Sequence, residues 1–153
     1  MLRTTPRLIA CASLLALSAC STAPESQPAA ALPQSRAIAA FTDICLKTAP
    51  SFAGDAEAAK RFGIDEIQDM GFTRIGFNAD KSLAVQLSEK ECVVTTPSQQ
   101  DDSLTRQLLA VAGEYSQSPV AQGVPATVNI GGSMFILHHD RRDGEAYVLL
   151  RQK

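Results

Sequence analysis

The stretch Ser82–Thr96, SLAVQLSEKECVVTT, carries the pattern on which the fold turns. Leu83, Val85 and Leu87 alternate with Ala84, Gln86 and Ser88. That two-residue period puts apolar side chains on one face of an extended chain and small or polar ones on the other. Glu89-Lys90 interrupts the run, and Glu91 to Thr96 resumes it with Cys92 and Val94 on a shared face. Phe72 to Asn78 precedes it across Ala79-Asp80-Lys81, so the three runs predict a three-strand antiparallel meander.

Toward the N-terminus the period changes to that of a helix. Ile38, Phe41 and Cys45 fall at i, i+3 and i+7, with Ala37 and Ile44 beside them, and Pro50 ends the pattern. Cys45 on that apolar stripe faces the core, where a sheet residue such as Cys92 can meet it. A second short helix is expected from Asp55 as N-cap through Ala56, Ala59 and Phe62, with Gly63 as its stop. Ile64, Ile67 and Met70, ending at Gly71, predict a third helical turn or two.

Toward the C-terminus, Ser98 or Asp101 is expected to cap a helix carrying Leu104, Leu108, Val111 and Tyr115 on one face, with Asp101 and Asp102 suited to its positive end. A loop containing Pro119 follows. Val124, Ala126, Val128 and Ile130 then alternate with polar residues, Gly131-Gly132-Ser133 turns the chain, and Met134 to His139 runs back. Asp140 to Gly144 makes a second turn, and Glu145 to Arg151 closes a second three-strand meander. Helices, three strands, a helix and three strands give an α+β class with antiparallel sheet and helices packed on one face.

The N-terminus reads as an export signal. Arg3 and Arg7 precede an apolar run from Leu8 to Leu17, which ends in Leu17-Ser18-Ala19-Cys20. Cys11 also follows a small residue, but too few apolar residues precede it. The run is also short for a retained transmembrane helix, which needs about 20 residues. Leu17 to Cys20 resembles the lipobox of bacterial lipoproteins. That resemblance implies cleavage by signal peptidase II before Cys20, diacylglyceration of its thiol and acylation of the new amine. Ser21, where an aspartate would favour inner-membrane retention in Gram-negative lipoproteins, implies the periplasmic face of the outer membrane. The expected organisation is therefore a signal peptide at 1–19, a lipidated cysteine and Ser/Pro/Ala-rich tether at 20–34, and one domain at 35–153.

The leader carries two of the 14 Lys and Arg and none of the 16 Asp and Glu, so the chain from Cys20 has a formal charge of −4. A mildly acidic domain argues against nucleic acid or anionic headgroups as partners. In an oxidising compartment Cys45 and Cys92 are a disulfide candidate, with two buried thiols as the alternative. A two-cysteine metal site lacks the further ligands a tetrahedral centre needs. With one cysteine on a helix and one in the Cys92-Val93-Val94 strand, followed by a polar turn and an amphipathic helix, residues 38–115 look like small proteobacterial lipoproteins of unknown function. That resemblance implies no catalytic residues.

Four groupings remain as candidates for chemistry. His138-His139-Asp140 offers imidazoles for a metal or for acid-base work, but strand neighbours point to opposite faces, so both cannot easily ligate one ion. Asp65, Glu66 and Asp69 suggest a solvated helix face, without the glycine and alternating ligands of a calcium loop. Ser133 after two glycines lacks the strand-to-helix context of a nucleophile elbow. Arg141 and Arg142 at a hairpin tip suit a carboxylate or phosphate on a partner. The expected protein is thus a non-catalytic binding or interaction module, held to the membrane by its N-terminal lipid, requiring no cofactor and meeting another envelope protein. It would present an apolar surface patch. The alternative is a small hydrolase or metal-dependent enzyme using His138 or His139 in a cleft.

Overall fold

The structure, a computed structural model, describes residues 34–97, 102–140 and 146–153. The signal peptide, Cys20, the tether up to residue 33, the helix cap at Ser98 or Asp101, and the Arg141-Arg142 turn lie outside the described residues. Helix α1 spans Arg36–Phe41 and continues into a π-helical turn at Thr42–Leu46. Next come α2 (Asp55–Lys60), β1 (Ile67–Asp69), β2 (Arg74–Phe77), β3 (Ala84–Leu87) and β4 (Glu91–Thr96). They are followed by α3 (Asp102–Tyr115), β5 (Ala126–Ile130), β6 (Ser133–Asp140) and β7 (Ala146–Gln152). The chain is a mixed helix and strand protein whose seven described strands form one antiparallel sheet in the order β1-β2-β3-β4-β7-β6-β5.

Strand parity sorts this sheet into two faces. Val85 lies opposite Val94, Leu87 opposite Cys92, Cys92 opposite Leu150 and Leu150 opposite Leu137. These residues are all buried, and with Phe135, Val128, Ile130, Ile38, Phe41, Ile44, Leu46, Leu104 and Leu108 they form one apolar core. A disulfide joins Cys45 of the π-helical turn to Cys92 of β4, with Cα atoms 5.6 Å apart, and clamps the helical layer to the middle of the sheet. The wider turn lets three consecutive residues, Ile44, Cys45 and Leu46, all be buried. An ordinary helical period would turn one of them outward. Lys47 N donates to Thr42 O, closing the i to i−5 bond, and the Thr42 hydroxyl donates to Ile38 O. At the helix start the Ser35 hydroxyl accepts from Ile38 N.

Two expectations are corrected. The segment expected to form a third helical turn at Ile64–Met70 contains the edge strand β1 instead, with Ile67 opposite Gly76 and Asp69 opposite Arg74. Its apolar spacing comes from packing over Gly76. A Cβ at that position would stand 2.6 Å from Ile64 Cγ2 and 3.0 Å from Glu66 O, so the missing side chain admits the crossing segment. Gly71, at φ +90°, makes a tight turn in which Met70 N donates to Thr73 O. We expect Gly76→Ala to cost about 1–3 kcal/mol by overpacking. Urea unfolding would show it as a lower midpoint with an unchanged slope.

Asp55 is the first residue of α2 rather than its cap. Gly54, in the left-handed region at φ +84°, holds the cap position. The buried Asp55 carboxylate accepts from Ala56 N through Oδ1 and from the Arg74 guanidinium of β2 through Oδ2 at 2.5 Å, fastening α2 to the sheet. The two meanders lie in one sheet. β1 extends the first to four strands, and β7 pairs with β4 along six positions, joining the halves. Helix α3 carries the chain from β4 across to β5 at the far edge.

Candidate functional site

The face opposite the core is set by the same parity. On β2, β3 and β4 it presents Ile75, Phe77, Ala84, Gln86, Val93 and Thr95. Glu91 lies opposite Arg151, Leu149 opposite His138, and Ile136 opposite Arg151 on the same face. The described helices contact the other face. Four large apolar side chains are substantially exposed among the described residues: Phe72 (88%), Met70 (57%), Phe77 (55%) and Met134 (42%). Three of the four belong to the β1–β2 hairpin or its turn.

Two shallow clefts flank that hairpin. One, of about 470 Å³, lies between Ile75, Phe77, Lys81, Ala84, Gln86, Thr95 and Pro97. The other, of about 260 Å³, lies between Phe72, Thr73, Gln86, Ser88, Lys90, Glu91, Arg151 and Gln152. Gln86 borders both. Glu91 and Arg151 form an ion pair across β4 and β7. Neither Lys81 nor Lys90 has a carboxylate partner among the described residues.

The turn that positions Lys81 is fixed by local polar contacts. Asn78 Oδ1 accepts from Leu83 N, and Asp80 Oδ1 accepts from both the backbone N–H and the hydroxyl of Ser82. Lys81 itself sits at φ +56°, a conformation lysine rarely adopts. The Ser82 hydroxyl, then its backbone N–H, hold the Asp80 carboxyl below its ordinary value of 3.8. A carboxyl lowered in the folded state contributes its full stability above the ordinary value and loses it as pH falls through the lowered one. Below pH 3.8 Asp80→Asn is therefore expected to lose less stability than the parent, read from urea midpoints across an acid series.

The candidate residues scatter. His139 is buried on the core face, with its Nδ1 against the Thr105 hydroxyl of α3, whereas His138 lies half-buried on the opposite face. The two imidazoles therefore do not converge, as strand alternation requires. Asp65, Glu66 and Asp69 are exposed around an edge strand rather than along a helix, and Asp69 Oδ1 accepts from Gly71 N. Ser133 opens β6 opposite Ile130, with Gly131 and Gly132 at positive φ forming a two-residue hairpin turn. Among the described residues no three His, Cys, Asp or Glu side chains are placed to hold a metal ion. No described helix is long and apolar enough to cross a membrane.

The exposed Phe72 and Phe77 are not singled out by the sequence pattern, which counts both simply as members of a strand. A signal is there: Phe77 follows Gly76 and so falls on the face opposite the Val85 and Leu87 set, and Phe72 follows a turn glycine. Comparison with known protein families, with curated proteins and with solved structures returns no match for this chain.

Proposed function

We propose that the protein is a lipid-anchored envelope protein, tethered through Cys20, whose α+β domain, with helices layered on one side of the sheet, is a non-catalytic binding module. The observation that supports a binding module is the sheet face that no described helix covers. It carries two shallow clefts and the exposed Phe72 and Phe77. The lipobox-like Leu17-Ser18-Ala19-Cys20 supports the anchor, and a Cys45–Cys92 disulfide fits an oxidising compartment.

The test is the intact mass of the protein recovered from a membrane fraction, with and without reduction and alkylation. The expected mass begins at Cys20 and includes acyl chains, and two alkylatable thiols appear only after denaturation and reduction. A species without acyl chains would overturn the anchor. For the binding face, Phe77→Asp should abolish its interactions while leaving the stability within about 0.5 kcal/mol of the parent, as for an exposed site.

A further inference from the structure

We infer that the outer edge of β1 is a strand-addition site, which takes an extended basic segment of a partner protein as a further antiparallel strand of the sheet. The inference rests on the binding-module reading above and deepens it, naming where a partner adds and what charge it carries. The chain treats its two sheet edges differently. At the β5 edge it covers itself: Gln117 N–H donates to Asn129 O at 2.7 Å, and Asn129 N–H donates to the Ser116 hydroxyl at 3.3 Å. The β1 edge has no such cover. Met70 N–H donates to Thr73 O, which sets the parity of the β1–β2 ladder. Gln68, opposite Ile75, then bonds to β2, and the main-chain groups of Ile67 and Asp69 turn outward. No turn or loop bond among the described residues takes those outward groups.

Charge selects the occupant. Asp65, Glu66 and Asp69 are exposed at this edge and form no ion pair among the described residues. The cations around them are already matched. Lys60 feels Asp65 but gives its hydrogen bond to Glu57, Arg61 pairs with Asp43, and Arg74 pairs with Asp55. The turns after β2 and β3 set Lys81 beside Asp80 and Lys90 beside Glu89, adding no net charge. The edge is therefore acidic.

A second copy added antiparallel would set these carboxylates against their own kind, which is destabilising. The segment 21–33 of the chain itself carries Glu25 with Pro24, Pro28 and Pro33, so it offers neither the charge nor the run of donors a ladder needs. A strand with Lys or Arg at alternate positions supplies both. Residues that exchange main-chain bonds with Ile67 and Asp69 place their side chains on the face of Asp69, where a basic group meets its carboxylate. The same charges that keep copies of this short edge apart leave it open to a basic strand.

The test is amide hydrogen exchange, followed by NMR on the full chain, with the end-blocked heptapeptide Lys-Val-Lys-Val-Lys-Val-Lys as probe. In the free protein Ile67 and Asp69 N–H should exchange fast and Met70 N–H slowly. Saturating peptide is expected to slow exchange at Ile67 and Asp69 about ten-fold. Methylating the lysine main-chain nitrogens, which face β1, should abolish the effect, and methylating the valine nitrogens should preserve it. The peptide with Glu in place of Lys should not bind. Asp65→Lys combined with Glu66→Lys, both at exposed sites, should reverse that preference with the urea midpoint unchanged. No protection by the lysine peptide, equal protection by both peptides, or equal loss on either methylation would overturn the inference. Protection that rises with protein concentration alone would also overturn it, in favour of a second copy. Protection at Phe77 and Gln86 while Ile67 and Asp69 still exchange freely would remove the edge site and leave the binding-module reading standing. That reading fails separately if Phe77→Asp leaves every interaction of the protein intact.

Discussion

Replacing Cys45 and Cys92 together by alanine is expected to lower the unfolding free energy by about 4 kcal/mol, the chain-entropy value for a loop of this length. The bond closes 47 residues of sequence separation, and both cysteines are fully buried. It spans two layers, since Cys45 belongs to the helical segment and Cys92 to β4, next to the β4–β7 seam that joins the halves of the sheet. In the reduced unfolded chain nothing brings those segments together, so the cost of their encounter returns to the folding equilibrium. Urea unfolding of the parent and the double variant measures it. Reductant should leave the folded parent unchanged, because no solvent reaches either cysteine, and should lower its midpoint to that of the variant once the chain has been unfolded. A difference under about 1 kcal/mol would show that the helical layer is held by packing alone.

Phe135→Ala is expected to cost about 3–5 kcal/mol, the range for deleting a fully buried aromatic ring. Phe135 sits on β6, opposite Val128 and Gln152, with no exposed surface. Its ring meets Phe52 edge to face, with centroids 6.0 Å apart and planes at 68°. Phe52 lies in the loop between the π-helical turn and α2, at φ +55°, where a bulky side chain is strained. Contact with Phe135 is what rewards that conformation, so the variant loses both the buried ring and the support for the loop. Phe135→Leu, which keeps most of the volume, should cost no more than about 1.5 kcal/mol. Equal losses in the two variants would mean that the aromatic pairing, rather than the filled volume, holds this end of the core.

The proposed binding face is only partly legible in the sequence. The alternation in Ser82–Ser88 places Ala84, Gln86 and Ser88 away from the core by local pattern alone, and that set borders the two clefts. What lies beside it is not legible. Phe77 owes its exposure to lying on the sheet face that no described helix covers and Phe72 to the turn before β2, and the segment that holds β1 reads as helix. For the histidines alternation is sufficient, because adjacent strand residues must part whatever the fold. Arg141 and Arg142 lie outside the described residues, so the sequence remains the basis for their place at a turn.

By itself the sequence determined what depends on neighbours close along the chain. These are the strand periods of β3 and β4, the apolar stripe of α3, the glycine turn at Gly131-Gly132, and the presence of helices and antiparallel strands together. Each follows from a repeat of two or about 3.6 residues, or from a backbone angle that glycine alone adopts without strain. The tertiary structure decided which edges meet. That β7 lies against β4, that β1 is a strand, and that the Asp55 carboxylate reaches Arg74 all depend on residues distant in sequence. There burial outweighs local preference: a side chain gains more by covering Gly76 or reaching a guanidinium than by completing a turn of helix. The bond between Cys45 and Cys92 lies between the two. Both thiols can be assigned to apolar faces from the sequence, but only the packing of the π-helical turn on β4 brings their Cα atoms to 5.6 Å.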